Sequence, residues 1–174
     1  KRERDTAMAA TVSDLFNITD KIVAVTGAAG VIYGAISKSL AANGAKVALL
    51  DIMGDKVSEL ADEIKADGGE ALAVECSVLD AGQIQAALRK IVETWGRCDV
   101  LINGAGGNMK AATVPPDGKF TDLDPEALNR VFQLNYTGTF LPTQIFCRHF
   151  AERGDGCVIN TSSMSALAPL TNVP

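Results

Sequence analysis

The chain has 174 residues, a formal net charge of −5 and 47% hydrophobic residues. This composition is typical of a folded globular domain and excludes a disordered or fibrous chain. The length predicts one domain with a core of its own. The acidic balance argues against the basic face of a nucleic-acid binder. The apolar runs are far shorter than the roughly 20 residues of a membrane-spanning helix, so we expect neither a nucleic-acid nor a membrane partner.

The start of the chain and its cysteines indicate a compartment. We interpret residues 1–18 as a solvated tail. We expect no secretory signal there, because no apolar segment follows the charged start. The chain has four widely spaced cysteines and no Cys-x-x-Cys pair: Cys76, Cys98, Cys147 and Cys157. We expect buried free thiols in a reducing cytoplasm, and no cluster of His, Cys and carboxylate residues indicates a metal site.

Five short runs predict buried strands, because their residues are apolar on both faces. In chain order the runs are residues 22–26, 46–51, 71–74, 99–102 and 157–161. Helix-like stretches separate them, all within one domain over residues 19–174. This alternation predicts an α/β fold: a Rossmann-like, doubly wound parallel sheet with helices on both faces.

Four helices are predicted between the strands. Three of them end at glycines, and the fourth is long: they end at Gly44, Gly68 and Gly96, and the last runs from about Pro125 to Arg153. The third helix is the most amphipathic and begins with a capping box of Asp80 and Gln83. Pro142 should kink the long helix. We interpret His149 as a structural residue near the end of that helix and not as a catalyst.

The loop from Gly104 to Asp124 is long and irregular, as functional or mobile loops often are. We expect its part from Gly107 onward to cover a substrate. Asn108 and Lys110 are candidates to meet a substrate carboxylate. The alternative for both is a solvated loop residue.

A glycine-rich loop, Thr26 to Gly34, lies between the first strand and the first helix. Glycines there let the main chain approach a pyrophosphate, and the helix start supplies amide donors. The alternative is a tight turn. Asp51 closes the second strand, where a carboxylate can accept both hydroxyls of an adenosine ribose and favours NAD over NADP. Its alternative role is to cap the following helix.

Small and polar residues occur at three further places. Asn103 to Gly107 follows the fourth strand, and Asn160 to Ser165 follows the fifth, so both segments face the crevice at the carboxyl edge of the sheet. Asn135 and Gly138 are poor helix formers inside the long helix, and locally poor choices often mark functional sites. The alternatives are a glycine turn, a polar loop start and a solvent-facing asparagine. No Gly-x-Ser-x-Gly motif of a serine hydrolase is present.

The order and spacing of these motifs resemble the short-chain dehydrogenase/reductase family over about residues 15–174. The motifs that carry the resemblance are Thr26-Gly27 to Gly34, Asp51, Asn103-Gly104-Ala105-Gly106, Asn135-x-x-Gly138 and Ser162-Ser163. Some stretches are similar to the D-mannonate oxidoreductases (fructuronate reductases) of that family: residues 104–108, 141–144, 162–166, 169–171 and 173–174. Gluconate 5-dehydrogenase-like enzymes are close neighbours of that subgroup.

The resemblance implies hydride transfer between a nicotinamide cofactor and a keto or hydroxy sugar acid of the fructuronate/mannonate kind. By the family pattern Ser163 hydrogen-bonds the substrate oxygen, and Asn135 positions a water of the proton relay. The cofactor is expected to be NAD, with NADP disfavoured, and to be lined by Gly27, Ala29, Gly30, Val31, Ile32, Asp51, Ile52, Ser77, Val78, Asn103, Gly104, Ala105, Gly106 and Thr161. The resemblance also implies a homo-oligomer, a dimer or tetramer, whose interface uses the long helix.

The sequence departs from the family pattern in three places. Val31 and Tyr33 stand where the loop usually has glycines, and Gly30 and Gly34 flank them. Ser77 stands where an acidic residue usually contacts adenine. The family's catalytic tyrosine and lysine should fall at positions 176 and 180, past the last residue. We therefore expect a truncated N-terminal portion that is inactive, and unstable or prone to aggregate, by itself.

Two other functions stay open. A protein that binds NAD without turnover has the same motifs. Another doubly wound class, such as a methyltransferase, has a similar glycine loop and ribose-binding acid. The positions of Asn135 and Ser162-Ser163 argue against that class.

Overall fold

A computed structural model describes residues 15–168, and within them five strands form one parallel sheet. The strands are β1 (Ile22–Thr26), β2 (Lys46–Asp51), β3 (Glu70–Glu75), β4 (Val100–Asn103) and β5 (Cys157–Asn160). Their order across the sheet is β3-β2-β1-β4-β5. The predicted Rossmann-like, doubly wound fold is confirmed, and the strand limits differ from the predicted ones by no more than one residue at either end.

The described part of the chain has five α-helices. They are α1 (Val31–Ala42), α2 (Gly54–Ala66), α3 (Ala81–Trp95), α4 (Pro125–Phe132) and α5 (Gly138–Arg153). Asp80 caps α3, because its Oδ1 accepts from the N–H groups of Gly82 and Gln83 at 2.8 and 3.0 Å. Gly96 ends α3 in the left-handed conformation, with φ of +84°, which costs glycine no strain.

The helices cover both faces of the sheet. On one face α1 and α2 pack against the sheet, so that Val25 of β1 and Ile64 of α2 share one apolar cluster. On the other face α3 and α5 pack, and Ala24, Ile91 and Phe146 share a second cluster. Adjacent residues of β1 serve opposite clusters because side chains alternate along a strand. Each large aliphatic side chain buried in this way contributes roughly 1.5–3 kcal/mol.

The prediction of one long helix over 125–153 is wrong in its middle. A π-helical turn, Gln133–Thr137, separates α4 from α5. There Asn135 Nδ2 donates to the Val131 carbonyl at 2.8 Å, so a side chain competes with the main chain for that acceptor. Helix α5 continues through Pro142, and the kink expected there stays a prediction. Pro142 lies four residues after Gly138, so it deprives only the first carbonyl of the helix of a donor.

The prediction of buried thiols is correct for two of the four cysteines and wrong for the other two. Cys76 and Cys98 are buried, and burial raises the pKa of their thiols to about 11 and about 12. Cys147 and Cys157 are exposed. Cys157 lies on β5, one of the two outer strands of the sheet within residues 15–168, and Cys147 lies on the exposed side of α5. An apolar run does not reveal which of its faces is left uncovered.

Parts of the sequence predictions lie outside the described residues. They are the first 14 residues of the predicted tail and the stretches 169–171 and 173–174 of the subgroup resemblance. Ile18, at the end of the predicted tail, packs against the α1–α2 cluster. None of the helices within residues 15–168 combines the length and the apolarity needed to cross a bilayer.

The single histidine of the chain lies beside the edge of the sheet at which the amino ends of the strands meet. His149, in α5, accepts the N–H of Cys98 through Nε2 at 3.2 Å. Burial and the nearby Arg153 guanidinium lower the pKa of His149 below 6.5. Because Cys98 precedes β4, this contact lies at the edge opposite the carboxyl ends of the strands, in agreement with a structural role.

A buried carboxylate joins β1, β4 and α5 at the same edge. Asp99 Oδ2 accepts the N–H of Ile22 at 2.9 Å, and Oδ1 accepts from Arg97 Nε at 2.9 Å and from Arg153 Nη2 at 3.1 Å. Burial alone would raise the pKa of Asp99. The Ile22 N–H and the two guanidinium groups outweigh it and hold the pKa below 3.8.

Asp99→Asn is expected to lower the free energy of unfolding by about 3 kcal/mol at pH 7, because it leaves two guanidinium groups beside an uncharged amide. The folded-state pKa is lowered, so this contribution is present above pH 3.8 and is lost as the pH falls through the folded-state pKa. The difference between wild type and variant should therefore shrink in acid. Urea unfolding of the complete gene product at several pH values measures both effects.

Asp62→Asn is the matched control. Asp62 Oδ1 lies 3.6 Å from Lys65 Nζ on the surface, and its loss should cost less than about 0.5 kcal/mol. Equal losses in the two variants would contradict the role of Asp99.

Candidate functional site

The carboxyl ends of β1 and β4 meet where the strand order reverses. Such a switch point opens a crevice for ligands in doubly wound sheets. Gly27 follows β1 with φ of +70°, and a Cβ there would lie 2.8 Å from the Cα and N atoms of Ala105, after β4. Glycine is therefore required at this position both by the backbone conformation and by the close approach of the two loops.

Thr26 joins the same two loops. Its side chain is buried, and its Oγ1 accepts from the N–H groups of Gly104 and Ala105, both at 3.1 Å. These bonds hold the main chain after β4 against the glycine loop, residues 27–34. The structure thus brings together the two segments in which most of the predicted cofactor residues lie.

Helix α1 begins at this crevice. Its N-cap is Gly30, which has no side chain to accept from the first turn, so the first-turn N–H groups can donate to a bound anion. Val31 and Ile32, the first two residues of α1, are 93% and 69% exposed. The loop therefore offers amide donors and an open apolar surface side by side.

Asp51 ends β2 beside the glycine loop and is only 8% exposed. Its Oδ2 accepts the N–H of Ala29 at 3.1 Å, and its Oδ1 accepts the N–H of Met53 at 3.0 Å. Helix α2 begins at Gly54 with Met53 as its N-cap, so the alternative role of Asp51 as helix cap is wrong. The two amides orient the carboxylate, and each oxygen keeps a lone pair for another donor. Ile52, the next residue, is exposed.

Two predicted cofactor residues follow β3. The Ser77 N–H donates to Gln83 Oε1 at 2.8 Å, and Ser77 Oγ accepts the N–H of Leu79 at 3.3 Å, which leaves the hydroxyl hydrogen for a ligand. Val78 is buried and packs against Gly138, where a Cβ would lie 2.8 Å from Val78 Cγ2. Of the two side chains, Ser77 has the polar group that a ligand can reach.

Asn103 ends β4 with its side chain turned into the protein. It is 1% exposed, and its Nδ2 donates to Thr143 Oγ1 and to Asn160 Oδ1, both at 2.8 Å. The carboxamide therefore joins β4 to α5 and β5. Its Oδ1 is buried with no hydrogen-bond partner among the described residues. The neighbouring Gly104, Ala105 and Gly106 present their main chain at the edge.

Asn135 holds the loop after β4. Its Nδ2 donates to the Gly107 carbonyl at 2.7 Å, and its Oδ1 accepts the Gly107 N–H at 3.0 Å. A Cβ on Gly106 would lie 2.7 Å from Asn135 Oδ1, so this approach needs a glycine. The carboxamide is thus committed to the loop, unlike that of a merely solvent-facing asparagine. A π turn often marks a functional site.

The predicted substrate residues lie on two separate segments. Ser163 follows β5, is exposed, and its Oγ lies 2.6 Å from Ser165 Oγ. Asn108 Nδ2 donates to Thr113 Oγ1 at 3.1 Å within its own loop. Lys110 lines a cavity of ≈ 900 Å³ in the same loop. Within residues 15–168 no hydrogen bond joins Asn108 or Lys110 to Ser163.

Sequence reasoning missed two contacts beside the crevice. The Tyr33 hydroxyl hydrogen-bonds to Thr161 Oγ1, and Thr143 accepts from the buried Asn103. The only signal for Tyr33 is its departure from the glycine pattern. Thr143 lies in the stretch 141–144 of the subgroup resemblance, but nothing in the sequence marks it as a partner of Asn103.

Comparison with known proteins gives the family. The family model described as short chain dehydrogenase matches residues 21–174. The uncharacterised oxidoreductase UxuB of Bacillus subtilis (strain 168) is 39% identical over 166 residues, which are 91% of this chain and 60% of that protein. The 5-keto-D-gluconate 5-reductase of Escherichia coli (strain K12) is 30% identical over 155 residues, 89% of this chain and 58% of that enzyme.

A solved structure is similar in fold as well as in sequence. It is the crystal structure of a candidate D-mannonate oxidoreductase from Haemophilus influenzae with bound NAD, 38% identical, with a TM-score of 0.84. The match covers 91% of this chain and 60% of that chain. This chain therefore spans about 60% of the length of these relatives. With its fold, its crevice and a family match over residues 21–174, the chain belongs to the short-chain dehydrogenase family.

Proposed function

We propose that the complete protein is an NAD-dependent oxidoreductase that moves a hydride between NAD(H) and a CH–OH or keto group of a sugar acid. This chain supplies its dinucleotide-binding part. The observation that carries the proposal is the glycine loop packed on Ala105, with the Asp51 carboxylate held 3.1 Å from the Ala29 N–H. Family membership and the NAD in the solved relative support it.

The residues of the crevice fit a dinucleotide. Asp51 would accept the hydroxyls of the adenosine ribose, and its charge would repel a 2′-phosphate, so we propose NAD over NADP. The first-turn amides of α1 would hold the pyrophosphate. The other proposed lining residues are Gly27, Ala29, Gly30, Val31, Ile32, Ile52, Ser77, Val78, Asn103, Gly104, Ala105, Gly106 and Thr161.

Two side chains of this chain take part in the proposed reaction. When bound, the nicotinamide gives or takes the hydride. Ser163 Oγ donates a hydrogen bond to the substrate oxygen and stabilises the negative charge that develops there. Asn135 positions the loop that begins at Gly107, and its Oδ1 keeps a lone pair for a water of the proton relay.

A sugar acid is the proposed substrate class. Lys110 and Lys119 line the cavity of ≈ 900 Å³ in the loop after β4, together with Asp122 and Asp124. The lining has no net positive charge, so a carboxylate would be bound by local pairing with an ammonium group. The candidate D-mannonate oxidoreductase supports a fructuronate/mannonate-like substrate. A second candidate function is 5-ketogluconate reduction, which the Escherichia coli relative favours. NAD binding without turnover is the third.

We further propose that the complete protein is a cytoplasmic homo-oligomer, a dimer or tetramer, that serves carbohydrate metabolism. Phe132, Tyr136 and Phe140 stack along one side of α4, the π turn and α5, with ring centroids 5.0 and 6.4 Å apart. The three residues are 62%, 60% and 51% exposed. An exposed apolar ridge of this kind favours a protein contact.

Asp51→Ala in the complete gene product tests the proposed function. It should lower kcat/KM with NAD about 100-fold and leave the value with NADP unchanged or higher, because it removes both acceptors and the repelling charge. Steady-state rates with each cofactor on fructuronate, mannonate and 5-ketogluconate give the values. Asp55→Ala, in the first turn of α2, is the matched control and should change neither cofactor's value.

The outcomes separate the candidates. A wild-type preference for NADP would contradict the role of Asp51. Turnover of 5-ketogluconate alone would favour the second function. Tight NAD binding with no turnover of any of these substrates would favour a binding protein and contradict the proposed oxidoreductase activity on sugar acids.

A further inference from the structure

Tyr33 reaches from the first turn of α1 to the end of β5. Its ring lies beside Gly104, where any Cβ would clash with the ring. Its hydroxyl hydrogen-bonds to Thr161 Oγ1, 128 residues along the chain. One side chain therefore joins the helix that opens at the glycine loop to the strand that precedes Ser163.

The hydrogen atoms set the direction of this bond. Thr161 Oγ1 donates its single hydrogen to the Asn103 carbonyl at 2.6 Å, so the Tyr33 hydroxyl is the donor to Thr161. The Thr161 N–H donates to the same carbonyl at 3.2 Å. Thr161 is thus held to β4 through Asn103 and to α1 through Tyr33.

The segment after β5 depends on such bonds. At its start Thr161 is bonded to Asn103 and to Tyr33, and the preceding residue, Asn160, accepts from Asn103 Nδ2 at 2.8 Å. These bonds hold the start of the segment that carries Ser163.

We propose that Tyr33 is a positioning residue that sets Ser163 relative to a dinucleotide bound at the glycine loop. This inference rests on the proposed function. The tyrosine ring fits because Gly104 has no side chain, and the hydroxyl then reaches Thr161, two residues before Ser163. Without the hydroxyl the ring stays in place but the Ser163 segment loosens, so the chemical step suffers more than cofactor binding.

Tyr33→Phe in the complete gene product tests the inference, since it removes only the hydroxyl. We expect kcat to fall about tenfold while KM for NAD changes less than about twofold. Amide hydrogen exchange of peptides covering residues 157–165 should become faster. Thr161→Val removes this bond and also the donation to the Asn103 carbonyl, so it should lower kcat and speed exchange at least as much. Adding Tyr33→Phe to Thr161→Val should cause no further loss, because the bond between the two side chains is already gone.

One control isolates that bond. Tyr136→Phe removes the hydroxyl of the exposed tyrosine in the π turn and should change neither kcat nor the exchange of residues 157–165.

Kinetics and hydrogen exchange distinguish a failure of the inference from a failure of the proposed function. Unchanged exchange or unchanged kcat in Tyr33→Phe would overturn the inference, and so would additive losses in the double variant. If the wild-type protein turns over no hydroxy or keto substrate with NAD, the proposed function fails. Even then, the rate of amide hydrogen exchange of residues 157–165 in Tyr33→Phe supports or overturns the role of the Tyr33–Thr161 hydrogen bond.

Discussion

Replacing Ser163 by alanine is expected to lower kcat of the complete gene product by about 10²–10³-fold, the usual effect of removing one donor to a developing oxyanion. Ser163 is exposed at the carboxyl edge of the sheet, and the N–H of Ser165 donates to its Oγ at 3.2 Å. That bond occupies an acceptor site on the hydroxyl, and the hydroxyl hydrogen can turn from Ser165 Oγ, 2.6 Å away, to a substrate oxygen. Steady-state kinetics with NAD(H) and a keto sugar acid give kcat.

NAD binding separates this role from a structural one. Fluorescence titration should show the same affinity in Ser163→Ala as in the wild type, because the serine meets the substrate and not the dinucleotide. Ser162→Ala, one residue earlier and also exposed, is the matched control and should keep kcat within about twofold. If Ser162→Ala is the damaging variant, the assignment of the second serine is wrong.

Gly27→Ala is expected to abolish measurable NAD binding and to lower the free energy of unfolding by roughly 3 kcal/mol. Two penalties add at this site. A φ of +70° strains any residue with a Cβ, and the new Cβ would lie 2.8 Å from main-chain atoms of Ala105. Main chain cannot swing aside as a flexible side chain can, so the loops after β1 and β4 must separate, and with them the two sides of the crevice.

Gly68→Ala is the control for backbone strain alone. Gly68 has φ of +87°, but an added Cβ would meet no atom within 4 Å. The substitution should lower the free energy of unfolding by about 1 kcal/mol and leave NAD binding intact. Urea unfolding and NAD titration measure both variants. Equal destabilisation, with NAD binding retained in Gly27→Ala, would contradict the close approach as the reason for the glycine.

Local patterns were enough to predict the elements of the fold. The apolar spacing in residues 57–64 predicts the buried stripe of α2, and Val57, Leu60, Ala61 and Ile64 are all buried. The same holds for the Asp80 cap and the Gly96 stop of α3. Periodicity and capping involve residues within a few positions of one another, so the sequence shows them directly.

The predictions from local patterns were wrong for the continuity of the long helix and for the burial of Cys157. Asn135 and Gly138 mark an irregularity, but only the structure shows a π turn there, with the Asn135 side chain bound to Gly107, 28 residues earlier. Cys157 is typical of a buried strand residue by its sequence, and it is exposed on β5, which lies at one edge of the sheet among the described residues. Both outcomes depend on neighbours that are distant in sequence.

By itself the sequence determined the order of the strands and helices along the chain, the place of the glycine loop, and the acid that ends β2. Each of these features depends on adjacent or regularly spaced residues. Only the tertiary structure decided that Asp51 is oriented by the Ala29 N–H and that Asn103 turns inward to Thr143 and Asn160. It alone brings Tyr33 to Thr161. These partners are 22 to 128 residues apart, and their contacts arise from the crossovers that place the carboxyl ends of parallel strands at one edge.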